Sequence, residues 1–163
     1  MKKKGFTLVE LLAVIAILAI LVIIALPNIM ALFNEAKKNS FANEVKELYK
    51  TAQNQWMSDS MNSTTQMTYG RFTSSSTCTN KELQLSGRTQ LEYGITIDKA
   101  GKVIKYFATD GSYFFEFNPG SGAALAIEDI DGNTYKVTAV APTYSNAKVE
   151  CDTANSTYKL TKE

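Results

Sequence analysis

The 163-residue sequence contains no histidine, which excludes Ser-His-Asp and Cys-His catalysis and most zinc sites. It contains only two cysteines, too few for a scaffold held together by many disulfides. It also lacks a GxSxG motif, a P-loop and a dinucleotide-binding fingerprint. No motif therefore indicates catalysis, and an enzyme is the least favoured class of protein.

Charge is nearly balanced overall but is unevenly distributed along the chain. The chain contains 17 Lys and Arg residues and 16 Asp and Glu residues, which gives a formal net charge of +1. No excess of basic residues therefore favours nucleic-acid binding. The first 34 residues contain only four charged side chains, those of Lys2, Lys3, Lys4 and Glu10. The sequence therefore predicts an apolar N-terminal segment followed by a polar domain.

The apolar segment, Phe6 to Leu26, is long enough to cross a membrane. Its 21 residues would form a helix of about 32 Å, close to the thickness of a bilayer's hydrocarbon core. A buried helix of a soluble protein would show a polar face, and none occurs between Leu11 and Leu26. Three lysines precede the run, so the positive-inside rule places the N-terminus in the cytoplasm.

Three kinds of membrane segment fit this run. A plain anchor is one, and a secretory signal peptide cut near Ala25 or Ala31 is another. Both leave Glu10 unexplained, because a carboxylate inside such a run costs about 2.5 to 3.5 kcal/mol on insertion scales. Both also leave unexplained why Gly5 stands between the lysines and the run.

The third kind accounts for both residues, because the string KKKGFTLVELL resembles the processing signal of type IV pilins and pseudopilins. The resemblance extends from Lys2 to Pro27. It implies that prepilin peptidase, a membrane aspartic peptidase, cuts between Gly5 and Phe6 and methylates the new amine of Phe6. Glu10 and Pro27 then stand where the family has its glutamate and its proline.

The resemblance also implies that Glu10 and Pro27 act in assembly. Glu10 of one subunit would meet the Phe6 amine of its neighbour, which offsets the cost of the buried charge and penalises a wrong stagger. Alternatively, Glu10 reaches the membrane interface. Pro27 either ends the helix or kinks it; in assembled pili of the family the helix unwinds before this proline. Many members have glycine where this chain has Ala19, and alanine favours an intact helix.

After Pro27 the pattern changes to that of an amphipathic helix. Apolar residues recur at helical spacing, with charged residues on the other faces: Phe41, Val45, Leu48, Ala52 and Trp56. No break occurs before residues 58–60, so a single helix of roughly 80 Å from Phe6 to about Asp59 is expected, curved or kinked at Pro27. The stripe is too short to indicate a coiled coil.

The rest of the chain predicts an antiparallel sheet. Residues 60–90 have a Ser/Thr-rich loop composition, and six strand-like runs follow between glycine-containing turns: 91–97, 102–108, 112–117, 123–128, 134–141 and 157–161. We therefore expect an α+β fold with the long N-terminal helix packed on a β-meander. The side chains expected to face the helix are Ile95, Ile97, Val103, Phe107, Phe115 and Ile127. The predicted segments are a leader at 1–5, a transmembrane and assembly helix at 6–27, an amphipathic helix at 28–59, a connecting loop at 60–90 and a sheet head domain at 91–163.

Cys78 and Cys151 lie 73 residues apart and, outside the cell, are expected to form a disulfide; two free buried thiols are the alternative. Neither belongs to a CxxC motif, so no redox or metal role is indicated. Asp129, Asp131 and Asn133 begin like a calcium loop, but the glycine is misplaced and no suitable glutamate follows, so a hairpin turn is favoured. No metal and no cofactor are predicted.

The resemblance implies a structural subunit of a type IV pilus, made as a single-pass membrane precursor and polymerised into an extracellular filament. Its expected partners are other pilin subunits, prepilin peptidase, and the platform protein and ATPase of the assembly machinery. Filaments of this family serve adhesion, twitching motility, biofilm formation or DNA uptake. The alternatives are a minor pilin, a pseudopilin of type II secretion or competence, and a membrane-anchored monomeric binding protein.

Overall fold

The structure is a computed structural model that describes residues 7–61, 66–72, 81–85, 91–119, 123–132, 135–140, 148–152 and 157–161. The chain divides into two compact units, Met1–Lys37 and Lys38–Glu163. The first consists of the apolar part of a long helix. The second contains the rest of that helix together with the strands that the structure describes.

The long helix, α1, spans Leu8–Ser60 and contains Pro27. The possibility that Pro27 ends the membrane helix is therefore wrong. Proline has no N–H to donate to the carbonyl four residues earlier, which belongs to Ile23, so one helical hydrogen bond is missing there. Good helix formers such as Leu26, Met30 and Leu32 flank this position, and α1 continues through it.

The strands confirm the predicted α+β class with an antiparallel sheet. Five strands follow one another in chain order across one sheet: β1 (Met67–Arg71), β2 (Glu92–Ile97), β3 (Val103–Thr109), β4 (Tyr113–Phe117) and β5 (Thr138–Ala139). Two further strands, β6 (Lys148–Asp152) and β7 (Thr157–Thr161), pair with each other in a separate two-stranded sheet.

Three strand predictions were wrong. Strand β1 lies in the segment that was predicted as a loop from its composition. Its Tyr69 packs into the core, which accounts for the difference. The predicted strand at 123–128 is instead one bridge from Leu125 to Val103, followed by a short 3₁₀ helix at Ile127–Asp129. Strand β6 was not predicted; it pairs with β7 in a second sheet, separate from the five-stranded meander.

The main core lies between α1 and one face of the five-stranded sheet. The predicted stripe is confirmed, because Phe41, Val45, Leu48 and Ala52 are buried and Trp56 packs against the same cluster. Tyrosines join the layers. The Tyr106 hydroxyl donates to the Val45 carbonyl at 2.7 Å, and the Tyr49 hydroxyl donates to the Leu125 carbonyl at 2.9 Å.

Phe107 does not face α1, contrary to the prediction. Its neighbour Tyr106 takes the inward position on β3, and successive side chains of a strand point to opposite faces. Phe107 therefore lies on the other face of the sheet, where it packs against Val149 of β6 and Phe72. The other residues predicted to face the helix do join the main core, Ile127 only at its margin.

Aspartate and glycine build the predicted turns between β2 and β3 and between β3 and β4. Asp98 Oδ1 accepts the Ala100 and Lys102 N–H groups, both at 2.9 Å, and Gly101 has a φ of +80°. At the second turn Asp110 Oδ1 accepts two N–H groups, and Gly111 has a φ of +84°. The positive φ angles explain why glycine occupies both positions.

Candidate membrane and assembly segment

The N-terminal half of α1 has an apolar surface that is exposed within the part of the chain that the structure describes. From Leu8 to Phe33 its large apolar side chains are between 48% and 75% exposed. Its most apolar stretch, 18 residues long, contains no buried side chain. By length and composition this helix is able to cross a membrane, which would supply the missing apolar surroundings.

Thr7 and Glu10 form a reciprocal cap at the start of α1. The Thr7 N–H and hydroxyl both donate to Glu10 Oε2 at 2.8 Å, and the Glu10 N–H donates to Thr7 Oγ1 at 3.3 Å. This is the capping box, which satisfies donors that a helix start otherwise leaves unpaired. Thr7 is not among the residues predicted above, although a threonine three residues before a glutamate is the sequence signal of this cap.

The cap changes the energetics of Glu10 in a single chain. A bare carboxylate in an apolar environment is costly, and hydrogen-bond donors lower that cost. Both Thr7 donors use Oε2, so Oε1 takes neither of them. Gly5 and Phe6 lie outside the described residues, so the cut between them and the pairing of Glu10 with an amine stay predictions.

Pro27 lies 17 residues after Glu10 on the same helix, about 26 Å along its axis. The structure therefore does not bring these two predicted assembly residues together within one chain. The exposed apolar surface continues past the proline, and an assembly role for Pro27 stays a prediction.

Near the C-terminal end of α1, Asp59 bonds to Tyr69 of β1 and to Lys81. Its Oδ1 accepts Lys81 Nζ at 2.6 Å, and its Oδ2 accepts the Tyr69 hydroxyl at 2.9 Å. The hydrogen bond from Lys81 holds the pKa of Asp59 below its ordinary value, while burial raises the pKa of Tyr69. A carboxylate in the last turn is unfavourable beside the negative end of the helix dipole, and Lys81 offsets this.

The remaining predicted site residues are only partly described. Cys78 lies outside the described residues and Cys151 belongs to β6, so their disulfide stays a prediction. In the loop tested for calcium, Asp131 Oδ1 pairs with Lys38 Nζ at 3.4 Å and accepts the Val137 N–H at 3.2 Å. Asp131 has a φ of +59°, but the adjoining bridge from Ile130 to Tyr135 is parallel, so the predicted turn does not close a hairpin.

Within the described ranges, no three His, Cys, Asp or Glu side chains come together as a group able to hold a metal ion. Asn133, the third residue of the tested loop, lies outside those ranges. The carboxylates that are described there bind partners in the protein: Asp129 Oδ2 accepts the Ala126 N–H at 3.3 Å.

Comparison with known proteins connects the start of the chain with one motif. Residues 1–26 match the family model described as the prokaryotic N-terminal methylation motif. No curated protein and no solved structure matches the chain. The matched stretch contains the three lysines, Gly5, Phe6 and the Thr7–Glu10 cap, and it ends one residue before Pro27. The match confirms the resemblance over this stretch: the chain begins with a motif that supports the class III signal of a type IV pilin-like prepilin, and the apolar helix behind it fits a membrane-anchored precursor.

Proposed function

We propose that the protein is the structural subunit of a type IV pilus. Prepilin peptidase cuts the precursor between Gly5 and Phe6 and methylates Phe6, and the mature chain polymerises through α1 into a surface filament. The observation that carries this proposal is the exposed apolar helix from Leu8 to Phe33, directly behind a methylation motif. Pilin-type families are structural rather than catalytic, which suits a chain without histidine.

Processing follows from the order of charges in the first ten residues. Lys2, Lys3 and Lys4 keep the leader in the cytoplasm, where the peptidase cuts after Gly5. Cleavage removes those three cations and creates one new cation, the methylated amine of Phe6. In the sequence this amine belongs to the residue before Thr7, whose own N–H and hydroxyl donate to the carboxylate of Glu10.

Assembly exchanges one apolar environment for another. In the membrane, lipid surrounds the exposed helix; in the filament, the helices of neighbouring subunits surround it. This exchange buries little new apolar area from water, so the assembly ATPase, acting through the platform protein, supplies the work of extraction. The Phe6 amine of an adjacent subunit binds Glu10, and a wrong stagger leaves both charges unpaired at a cost of several kcal/mol.

The head domains form the outside of the filament and provide its function in adhesion, twitching motility, biofilm formation or DNA uptake. The near-balanced charge gives no support to a general nucleic-acid surface. The alternatives are a minor pilin or a pseudopilin, which share the same processing, and a monomeric binding protein that remains anchored.

Mass spectrometry of the mature protein tests the processing step. We expect an N-terminal peptide that begins with N-methylated Phe6. A mature chain that begins at Met1 shows an unprocessed anchor, and one that begins beyond Leu26 shows an ordinary signal peptide. Either result contradicts the proposal.

Substitutions at the cap test the role of Glu10. Glu10→Ala is expected to insert in the membrane normally but to give at least about tenfold fewer filaments, since one lost buried pair exceeds 1.4 kcal/mol. Thr7→Val removes the hydroxyl that orients Glu10 and is expected to reduce filament yield less. Thr7→Ser keeps the hydroxyl and serves as the matched control. Wild-type filament yield from Glu10→Ala contradicts the assembly role.

Immunogold microscopy of cells distinguishes the alternatives. Dense labelling along surface fibres indicates the main subunit, whereas sparse labelling of fibres indicates a minor pilin. Labelling confined to the envelope indicates a pseudopilin or an anchored binding protein and contradicts the proposed role as the filament's structural subunit.

A further inference from the structure

Two methionines lie exposed at the C-terminal end of α1. Met57 is in the last turn of the helix, and Met61 directly follows the helix. Their side chains are 53% and 86% exposed within the part of the chain that the structure describes, so both thioethers are accessible to small molecules dissolved in water. The sequence contains five methionines; the other three belong to the predicted leader, to the apolar half of α1 and to β1: Met1, Met30 and Met67.

Met67, the first residue of β1, lies in a different environment. Its side chain is partly buried and packs against the main core cluster. The Tyr69 hydroxyl, which donates to Asp59 Oδ2 at 2.9 Å, is within hydrogen-bonding distance of Met67 Sδ, at 3.5 Å. Met67 therefore belongs to the contact that joins β1 to the end of α1.

Oxidation has different consequences in these two environments. Methionine sulfoxide is polar where the thioether is apolar, so its formation disrupts apolar cores. At Met57 and Met61 the new oxygen would be solvated by water, and no core packing would be lost. At Met67 the oxygen would have to fit into the margin of the core beside Tyr69.

We propose that Met57 and Met61 are oxidation sites that consume hydroperoxides and so protect Met67. A lone pair of the thioether sulfur attacks one oxygen of hydrogen peroxide, and the O–O bond breaks as the S–O bond forms. The sulfur loses two electrons, and the departing hydroxide takes the proton of the transferred oxygen and leaves as water. Each exposed thioether thus removes one peroxide molecule and becomes a sulfoxide.

This inference goes beyond the proposed function and does not require polymerisation. In the proposed function the head domain lies outside the cell, where it meets oxidants without the reducing systems of the cytoplasm. The exposed pair at the end of α1 is then the first target, and the contact of Met67 with Tyr69 is preserved.

Limited oxidation of the chain purified from cells tests the inference. The chain is placed in phosphatidylcholine vesicles and treated with hydrogen peroxide at about one equivalent per exposed head-domain methionine, since each sulfoxide consumes one peroxide. Mass spectrometry of fragmented peptides then locates the sulfoxide. We expect at least about tenfold more sulfoxide at Met57 and at Met61 than at Met67, the ratio that a local opening free energy of about 1.4 kcal/mol gives. The urea midpoint of unfolding should stay unchanged.

Substitution by leucine, which is close to methionine in volume, tests the protection of Met67. In a chain with both Met57→Leu and Met61→Leu, the same amount of peroxide should raise the sulfoxide at Met67 and lower the urea midpoint. Met30→Leu is the matched control, because it removes a methionine that is 55% exposed but lies in the apolar stretch that lipid surrounds in the vesicles. It should leave Met67 as little oxidised as in the unsubstituted chain.

Equal sulfoxide at Met57, Met61 and Met67 overturns the inference. It is also overturned if the double substitution leaves the oxidation of Met67 unchanged, or if Met30→Leu raises it as much as the double substitution does. The proposed function has its own readouts, the mature N-terminus and the surface filaments. Methylated Phe6 with filaments but equal oxidation overturns the inference alone, whereas selective oxidation of a chain without methylation and filaments overturns the proposed function alone.

Discussion

Glu10 is the single charged side chain between Gly5 and Glu35, and its partner Thr7 determines how its charge is held. The cap places two donors on one carboxylate oxygen, Oε2, and neither of them donates to the other oxygen. In the sequence, Glu10 is a charged residue alone in an apolar run, where its carboxylate is unfavourable. The hydrogen bonds from Thr7 in the same helix turn offset part of that unfavourable free energy. In the proposed function, the same cap would orient the carboxylate toward the amine of a neighbouring subunit.

Two glycines with nearly equal φ angles provide a matched pair for measuring one packing contact. A Cβ atom at Gly101 would lie 2.9 Å from Cζ3 of Trp56, whereas a Cβ atom at Gly111 would meet nothing within 4 Å. Gly111→Ala should cost about 1 to 2 kcal/mol of unfolding free energy, the penalty for a left-handed conformation. Gly101→Ala should cost more, because the ring of Trp56 must also move.

Denaturant unfolding in detergent measures both glycine variants, and fluorescence separates the two effects. Trp56 is the only tryptophan, so its emission reports this contact alone. Emission should change in folded Gly101→Ala and stay unchanged in Gly111→Ala. Equal destabilisation with unchanged emission in both variants contradicts the predicted contact.

Asp59 makes stability depend on acid pH in a predictable direction. Its pKa in the folded protein lies below its ordinary value of 3.8, mainly because Lys81 donates to it. A lowered carboxyl pKa contributes stability that is present above the unfolded pKa and is lost as the pH falls through the folded pKa. The destabilisation caused by Lys81→Met should therefore be largest above about pH 4 and should disappear below the folded pKa.

Urea unfolding of the full chain between pH 7 and pH 2 measures this dependence on pH. The effect should stay below about 1 kcal/mol, because the Lys81 side chain is 59% exposed. Lys99→Met removes the same charge from an exposed turn and is the control, for which no such trend is expected. A Lys81→Met effect that is constant across this range would show that Asp59 is not its partner.

At the scale of elements, α1 is one helix with two kinds of surroundings. Its first half has apolar side chains on every face, and the most apolar 18 residues contain no buried side chain. Its second half buries one apolar stripe against the sheet. Helical hydrogen bonds depend only on local backbone geometry, so one element continues through both environments. A weak point inside the helix lies at Pro27, where the Ile23 carbonyl lacks its usual donor.

Pro27→Ala tests whether that weak point is used in assembly. Alanine restores the missing N–H and is favoured over proline inside a helix by about 3 kcal/mol. Amide exchange between Ile23 and Ile29 should therefore slow in the anchored monomer, while insertion and processing are unchanged. If assembly unwinds the helix before residue 27, as the resemblance implies, filament yield should fall. Ala19→Gly lowers helix propensity nearby and should act in the opposite direction.

Normal filament yield from Pro27→Ala, together with slower amide exchange, would show that the helix does not need to unwind at residue 27. Unchanged exchange would instead contradict the weak hydrogen bonding inferred at Ile23. Electron microscopy of sheared filaments and exchange measured by mass spectrometry provide the two readouts.

At the scale of the whole molecule, the head domain and its stretch of α1 should fold without the membrane segment. The second compact unit begins at Lys38 and contains the buried stripe and the strands that the structure describes. A chain truncated to residues 34–163 should therefore stay soluble without detergent and unfold in one cooperative step. A chain truncated to residues 61–163 should not fold. It loses Phe41, Val45, Leu48 and Ala52, of which the three larger side chains contribute about 1.5 to 3 kcal/mol each.

Circular dichroism and urea unfolding of both truncated chains check this prediction. The total stability of a domain this size is about 5 to 15 kcal/mol, so losing the stripe removes a large part of it. Cooperative unfolding of residues 61–163 would show that the sheet does not need α1. Aggregation of residues 34–163 would show that the apolar segment is needed for the head to fold.

The sequence by itself determined the features that depend on neighbouring residues. The uninterrupted apolar run, the methylation motif and the helical spacing from Phe41 to Trp56 are local patterns, and each identified its element. The turns at Asp98–Gly101 and Asp110–Gly111 were also predictable, since their φ angles require residues found at those positions. The capping box was equally local, and its signal lies in residues 7 and 10.

Only the tertiary structure decided the features that depend on residues far apart in the chain. Strand β1 forms because Tyr69 pairs with Ile95 of β2, which overrides a loop composition. Phe107 faces away from α1 because Tyr106 takes the inward position, and β6 supplies Val149 to cover it. Asp59 finds Lys81 across 22 residues. Strand propensity, and the side of the sheet to which each side chain points, are only weakly encoded in a short stretch of sequence. The pairing of strands, their register and the burial of their side chains therefore depend on contacts between residues far apart in the chain.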